Sequence, residues 1–192
     1  MHFSSKTYTH KIFQKESLIG FDLSDKEFLN CTFKGCDFTE AKFFRSLFTN
    51  CVFSECNLSN VKVNHCSLRE VSFENSKLAG IIFSSLNTLL ISWDFKACKI
   101  ELCDFSNLKI KHTQFDDCLL RENNFINSDL SGVDFGASDL SLSTFHNTNL
   151  ERSDFSKAIN YQIDPTQNKM KGAKFSPPEV LSLLSGFKID VV

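Results

Sequence analysis

Large apolar residues recur at every fifth position through most of this chain, a rhythm that neither an α-helix nor a flat β-strand keeps on one face. Phe28, Phe33, Phe38, Phe43, Phe48 and Phe53 set the register. Leu58, Val63, Leu68, Phe73, Leu78 and Phe83 extend it forwards; Leu23, Leu18 and Phe13 extend it backwards. A second run begins at Phe95 and proceeds through Ile100, Phe105, Ile110, Phe115, Leu120, Phe125, Leu130, Phe135, Leu140, Phe145, Leu150 and Phe155. A chain that turns a corner after each five-residue segment satisfies this spacing. If four segments make one square coil, residues twenty apart stack on successive coils. The identities agree. Phe13, Phe33, Phe53 and Phe73 form one column, Phe95, Phe115, Phe135 and Phe155 another, and Phe105, Phe125 and Phe145 a third. The columns between them are aliphatic. The sequence therefore predicts an all-β fold: a right-handed quadrilateral parallel β-helix, a solenoid with a narrow filled interior.

The residue two before each centre is usually small, as at Ala41, Ser46, Ser76, Ser138 and Ser153. The residue just before it is often Asp or Asn, as at Asp37, Asn57, Asp104, Asp134 and Asp154. Short amide and carboxylate side chains suit corners because they bond to nearby backbone. The chain has eight cysteines, and all of them (Cys31, Cys36, Cys51, Cys56, Cys66, Cys98, Cys103 and Cys118) fall in the small slot. A free thiol there acts as a small hydrophobe. The spacing is the repeat step rather than the paired spacing of a zinc site, so no metal ligands and no cofactor are expected.

The two runs do not join in register, since Phe83 to Phe95 is two residues longer than two repeats. Segment 84–94 is either a stutter with Trp93 filling a wider slot or a projecting loop. Residues 1–12 are expected to cap one end, with the β-helix over 13–175. Ser176-Pro177-Pro178-Glu179 reads as a helix start, Gly186 as its stop, and Phe187 to Val192 as a last strand. Val180, Leu181, Leu184, Phe187, Ile189 and Val191 offer more apolar surface than one narrow rod end needs. A homodimer joined through the 176–192 end is therefore expected, with a purely intramolecular cap as the alternative.

Residues 101–164 carry eleven acidic and five basic side chains, against a net charge of −2 for the whole chain. Asp94, Asp134 and Asp154 fall on one face, with Asp116 and Asp117 beside them. This acidic surface is either a partner-binding site or ordinary corner chemistry. The five histidines are scattered, and there is no G-x-G-x-x-G, P-loop, G-x-S-x-G or H-E-x-x-H motif, so no catalytic residues and no enzyme activity are expected. With no leader-like start and no long apolar run, the expectation is a cytoplasmic protein without membrane association.

The small–(Asp/Asn)–(Leu/Phe)–x–x unit, the interruption near the middle and the tail from Ser176 to Val192 resemble the pentapeptide-repeat family. Within it, they resemble the group of Qnr, MfpA and McbG-like proteins. The resemblance implies a dimeric rod that mimics DNA, binds DNA gyrase or topoisomerase IV and protects it from quinolones or peptide toxins, without binding nucleic acid itself. A protein-interaction scaffold with an unrelated partner is the alternative.

Overall fold

The computed structural model describes residues 3–187 and residue 189. Over these residues the chain winds as a parallel β-solenoid, each rung pairing in parallel with the rung one coil away. The pairing runs Phe13, Phe33, Phe53, Phe73, Phe95, Phe115 in strict register. Single bridges carry the same column on, from Gln114 to Asp134, Asp154 and Lys174. The phenylalanine columns either side of the interruption are thus one column. Its rings, from Phe13 to Phe175, stack with centroids 4.6–5.5 Å apart.

A second column, Phe83, Phe105, Phe125 and Phe145, stacks at 4.7–5.1 Å. The two columns meet edge to face, as where Phe105 and Phe115 lie at 88°. Each ring therefore stacks along the axis and presents its edge across it, both favourable quadrupole geometries. Phe33, Phe53, Phe73, Phe95, Phe115, Phe135 and Phe155 are all essentially fully buried. Each contributes roughly 1.5–3 kcal/mol of transfer free energy, which a single coil could not capture alone.

Corners recur where the chain takes a positive φ every fifth residue, as at Asn30, Asn50, Asn107, Asn127 and Asn147. Asparagine tolerates this left-handed region, and neighbouring side chains stack into a ladder. Asn147 Nδ2 donates to Asn127 Oδ1 at 2.8 Å. Asp or Asn just before a centre accepts from the N–H two residues later: Asp37 from Thr39 at 2.9 Å, Asp134 from Gly136 at 2.8 Å, Asp154 from Ser156 at 2.9 Å.

The small slot also has a polar task. Ser138 Oγ donates to the Phe115 carbonyl at 2.9 Å and Ser153 Oγ to the Leu130 carbonyl at 2.8 Å. Cys51 Sγ reaches the Phe28 carbonyl at 3.3 Å, and Cys98 Sγ the Phe73 carbonyl at 3.3 Å. Each side chain satisfies a centre's carbonyl on the coil before. All eight cysteines are free and buried.

Among the described residues the twenty-residue register is broken at two places. At the first, Val71 pairs with Trp93 and Phe73 with Phe95, an offset of twenty-two. Trp93 occupies the small slot, is fully buried, and its indole fills the interior where this coil lacks a centre. Leu89 and Leu90 project from the same segment, 59% and 68% exposed. At the second, Phe145 bridges to Ile163, an offset of eighteen, while Asp139–Ile159 before it and Asn149–Lys169 after it keep twenty, so the slip is local. Here Tyr161 occupies the small slot and is 1% exposed. Its ring packs edge-on to Phe155 with centroids 5.5 Å apart. The first coil gains two residues, whereas in the second the register slips by two and recovers; each sets an aromatic ring from the small slot into the interior.

At the first end, the earliest paired rung is Thr7–Thr9. Phe3 closes the interior there, stacking on Phe13 at 5.2 Å. At the other end, Glu179–Phe187 form a 3₁₀-helix. It does not stop at Gly186, which has no left-handed φ to end it. Its three-residue repeat lines up Val180 with Leu183, and Leu181 with Leu184 and Phe187. Leu183 packs against the core. Phe187 belongs to this helix rather than to a strand, and most of the expected strand lies outside the described residues. Among the described residues no helix is long and apolar enough to cross a membrane.

Candidate partner-binding surface

The outward positions of each flat face also stack in columns. On the face of the long phenylalanine column, Asp94, Gln114, Asp134, Asp154 and Lys174 follow one another at successive coils. At ~4.8 Å per rung, Asp134 and Asp154 are immediate neighbours. Asp116 lies on the same face, paired in register with Lys96. Asp117 sits at the adjoining corner with φ 53°. The structure thus brings all five predicted aspartates to one face and its edge. Asp94, Asp116, Asp117 and Asp134 are exposed, and Asp154 is half-buried.

Their roles differ. Asp134 and Asp154 hold their corners through the backbone bonds above. Asp154 also accepts from Ser156 Oγ at 2.6 Å and pairs with Lys174 at 3.0 Å. The Ser156 hydroxyl and N–H, then Lys174, hold its carboxyl down at about 2. Among the described residues, Asp94, Asp116 and Asp117 make no side-chain hydrogen bond or ion pair, so their charge is available to a partner.

The next face round the rod has the opposite character, which composition alone hid. The column Lys109, Asp129, Asn149, Lys169 runs up it. Lys111 pairs with Asp129 at 3.0 Å, and the Arg152 N–H donates to the carbonyl of Lys171. Lys109, Lys111, Arg152, Lys169 and Lys171 are all exposed. Counting charge by twenty-residue column rather than by segment finds this face in the sequence.

At the 176–192 end, Leu181, Phe187 and Ile189 are 47%, 53% and 55% exposed. Val180 and Leu184 are half-buried. Val191 lies outside the described residues. Leu183, absent from the predicted set, turns inward to the core. Among the described residues no three His, Cys, Asp or Glu side chains converge to hold a metal ion.

Comparison with protein-family models matches a pentapeptide-repeat region over residues 26–101 and pentapeptide repeats over 98–136 and 124–159. The chain belongs to the pentapeptide-repeat family. Among solved structures it is similar to full-length QnrB1, a plasmid-mediated fluoroquinolone resistance protein. That similarity has a TM-score of 0.74 at 15% identity and covers 95% of this chain and 100% of QnrB1. It is also similar to HetL, a pentapeptide-repeat protein involved in heterocyst differentiation regulation from the cyanobacterium Nostoc sp., with a TM-score of 0.62 at 15% identity over 90% of each chain. At such identities the likeness is one of fold. No curated protein matches the chain in sequence.

Proposed function

We propose that this pentapeptide-repeat protein is a non-enzymatic DNA mimic that binds DNA gyrase or topoisomerase IV and shields it from quinolones or peptide toxins. The acidic face carries the reading. Asp94, Asp116, Asp117, Asp134 and Asp154 stand in rows on a rigid rod, and a row of fixed anions is what a basic DNA-binding groove recognises. The likeness to QnrB1 over nearly the whole chain supports it. In this reading two copies join through Leu181, Leu184, Phe187 and the rest of the 176–192 end, which places two acidic faces in line. The protein works in the cytoplasm, where gyrase is.

A supercoiling assay with purified gyrase, with and without ciprofloxacin, tests the proposal. Inhibition of supercoiling, or rescue from the drug, supports it. Absence of both at about tens of micromolar protein contradicts it.

A second reading is a scaffold for an unrelated partner. The basic face of Lys109, Lys111, Arg152, Lys169 and Lys171 favours it, because a duplex is anionic on every side. HetL shows the same fold in a protein of regulatory rather than resistance description.

A further inference from the structure

The basic face carries its charge in two blocks. Lys109 and Lys111 are exposed on either side of the buried centre Ile110, and Lys169 and Lys171 on either side of half-buried Met170. The column Lys109, Asp129, Asn149, Lys169 sets the blocks three rungs apart, a separation of ~14 Å at ~4.8 Å per rung. Among the described residues Lys109, Arg152, Lys169 and Lys171 make no ion pair. The two acids of this face stand between the blocks. Asp129 is engaged by Lys111 at 3.0 Å, by Asn149 Nδ2 at 3.0 Å and by the Ser131 N–H at 3.2 Å. Glu151 lies one rung further on, half-buried.

The corner between this face and the acidic one is kept low. It is the column His112, Gly132, Arg152, Gly172, all at positive φ. The His112 ring lies over Gly132, where a Cβ would come within 2.5 Å of its Nδ1. The stem of Arg152 lies over Gly172 in the same way, its Cγ 3.5 Å from where a Cβ would stand. The two side chains follow the rod instead of projecting, which leaves the face open to a broad partner. None of the exposed large apolar residues stands on these four rungs of the face. A protein partner would find no apolar centre to bury here, and a single nucleic-acid strand no aromatic ring to stack on.

We propose that this face binds duplex DNA through its phosphates, with Lys109 and Lys111 on one strand and Lys169 and Lys171 on the other, across the major groove. Spacing and charge both fit. The major groove is ~12 Å wide, and two cationic blocks ~14 Å apart reach its two phosphate rims. Asp129 and Glu151 then lie over the open groove, away from the phosphates. Arg152, whose N–H donates to the Lys171 carbonyl at 3.0 Å, adds to that rim. Neutralising about four or five phosphates releases their condensed counterions, which drives binding without base contacts. An anionic membrane spreads its charge evenly and would meet the two acids as well; an unstructured acidic peptide loses entropy as it orders on the face. This departs from the expectation, carried by the family resemblance, that the chain does not bind nucleic acid. Duplex DNA is here the partner that the scaffold reading lacks. The face needs no topoisomerase, so its failure to bind DNA would leave the outcome of the gyrase assay unaffected.

Fluorescence anisotropy of a labelled duplex of about twenty base pairs, with the full-length chain at about 50 to 200 mM salt, tests this. Two variants each remove one rim: Lys109→Gln with Lys111→Gln, and Lys169→Gln with Lys171→Gln. Lys42→Gln with Lys62→Gln removes the same charge from another face, where those exposed lysines stack on successive rungs. The expected result is that each rim variant binds about 3- to 10-fold more weakly than wild type, with a salt slope reduced by about 2, and that the control pair stays within about 2-fold. Wild-type binding no tighter than about 1 mM at the lowest salt overturns the proposal. So does equal weakening by the control pair, since attraction would then be a matter of total charge. Polyglutamate or phosphatidylserine vesicles bound at least as tightly as the duplex would overturn it too, by giving the face to another anion.

Discussion

The indole N–H of Trp93 donates to the carbonyl oxygen of Leu68 at 3.0 Å, twenty-five residues back along the chain. This bond takes the place of the one that Ser or Cys makes elsewhere in the same slot, while the ring fills the space of an absent centre. Trp93→Phe keeps part of the volume and orphans the carbonyl. It should lower the free energy of unfolding by about 2–4 kcal/mol, read by urea denaturation. A loss below about 1 kcal/mol would show that the indole N–H contributes little.

The corners offer a stabilising change. Leu102 has φ 55° and is 64% exposed. A side chain with a Cβ pays for the left-handed conformation, and asparagine pays least. Leu102→Asn should therefore raise stability by about 0.5–1 kcal/mol and also remove an exposed apolar group. A lower midpoint in thermal unfolding would mean that the leucine makes contacts of greater worth than the relief of strain.

Acid should weaken the rod in a defined window. The Asp154 carboxyl is lowered from 3.8 to about 2, first by the Ser156 hydroxyl and N–H and then by Lys174. A depressed carboxyl stabilises the fold fully above its unfolded value, and that contribution fades as pH falls through the folded value. Stability should drop between about pH 4 and pH 2. Asp154→Asn keeps an oxygen for the Ser156 N–H but does not titrate. It should flatten that part of the curve, measured as unfolding midpoint against pH.

At the 3₁₀-helix, Leu181, Leu184 and Phe187 share one line while Leu183 faces the core. Leu184→Asp should convert a dimer to a monomer in sedimentation equilibrium with the unfolding transition of the rod retained. A wild-type monomer, or a mass unaltered by Leu184→Asp, contradicts the proposed junction.

The centres, the coil length and the buried place of the cysteines were legible because they depend on one period and one burial rule. Cys51 and Ser138 differ in chemistry yet fit the same slot, so spacing alone located them. The interruptions were only half legible. Twelve residues between Phe83 and Phe95 announced the first, and Trp93 falls two before Phe95 in the small slot, but nothing in the spacing shows that its indole bonds to Leu68. The second lies after Asn160, where the five-residue spacing of large apolar residues stops. Tyr161 and Ile163 resume the core there two residues early, before the register returns to twenty at Lys169, and a fixed period of twenty misses them. Asp94, Asp134 and Asp154 share a face because stacking at twenty residues carries them there, with Asp116 beside that column and Asp117 at its corner. Lys109, Lys111, Arg152, Lys169 and Lys171 escaped notice because segment totals average opposite faces together. The tail read as a helix because Ser-Pro-Pro-Glu is a good start signal; the start signal does not show that its winding is 3₁₀ or that Leu183 is the residue laid on the core.

The most direct measurement is equilibrium binding of the full-length chain to purified DNA gyrase, with linear duplex DNA as competitor. Wild type is set against a variant carrying Asp94→Asn, Asp116→Asn, Asp117→Asn, Asp134→Asn and Asp154→Asn. Asparagine retains the corner bonds of residues 134 and 154 and removes charge alone. The account predicts that wild type binds, that DNA displaces it, and that the variant binds at least about 10-fold more weakly. Equal binding by the two proteins, or binding that DNA leaves undisturbed, would contradict it.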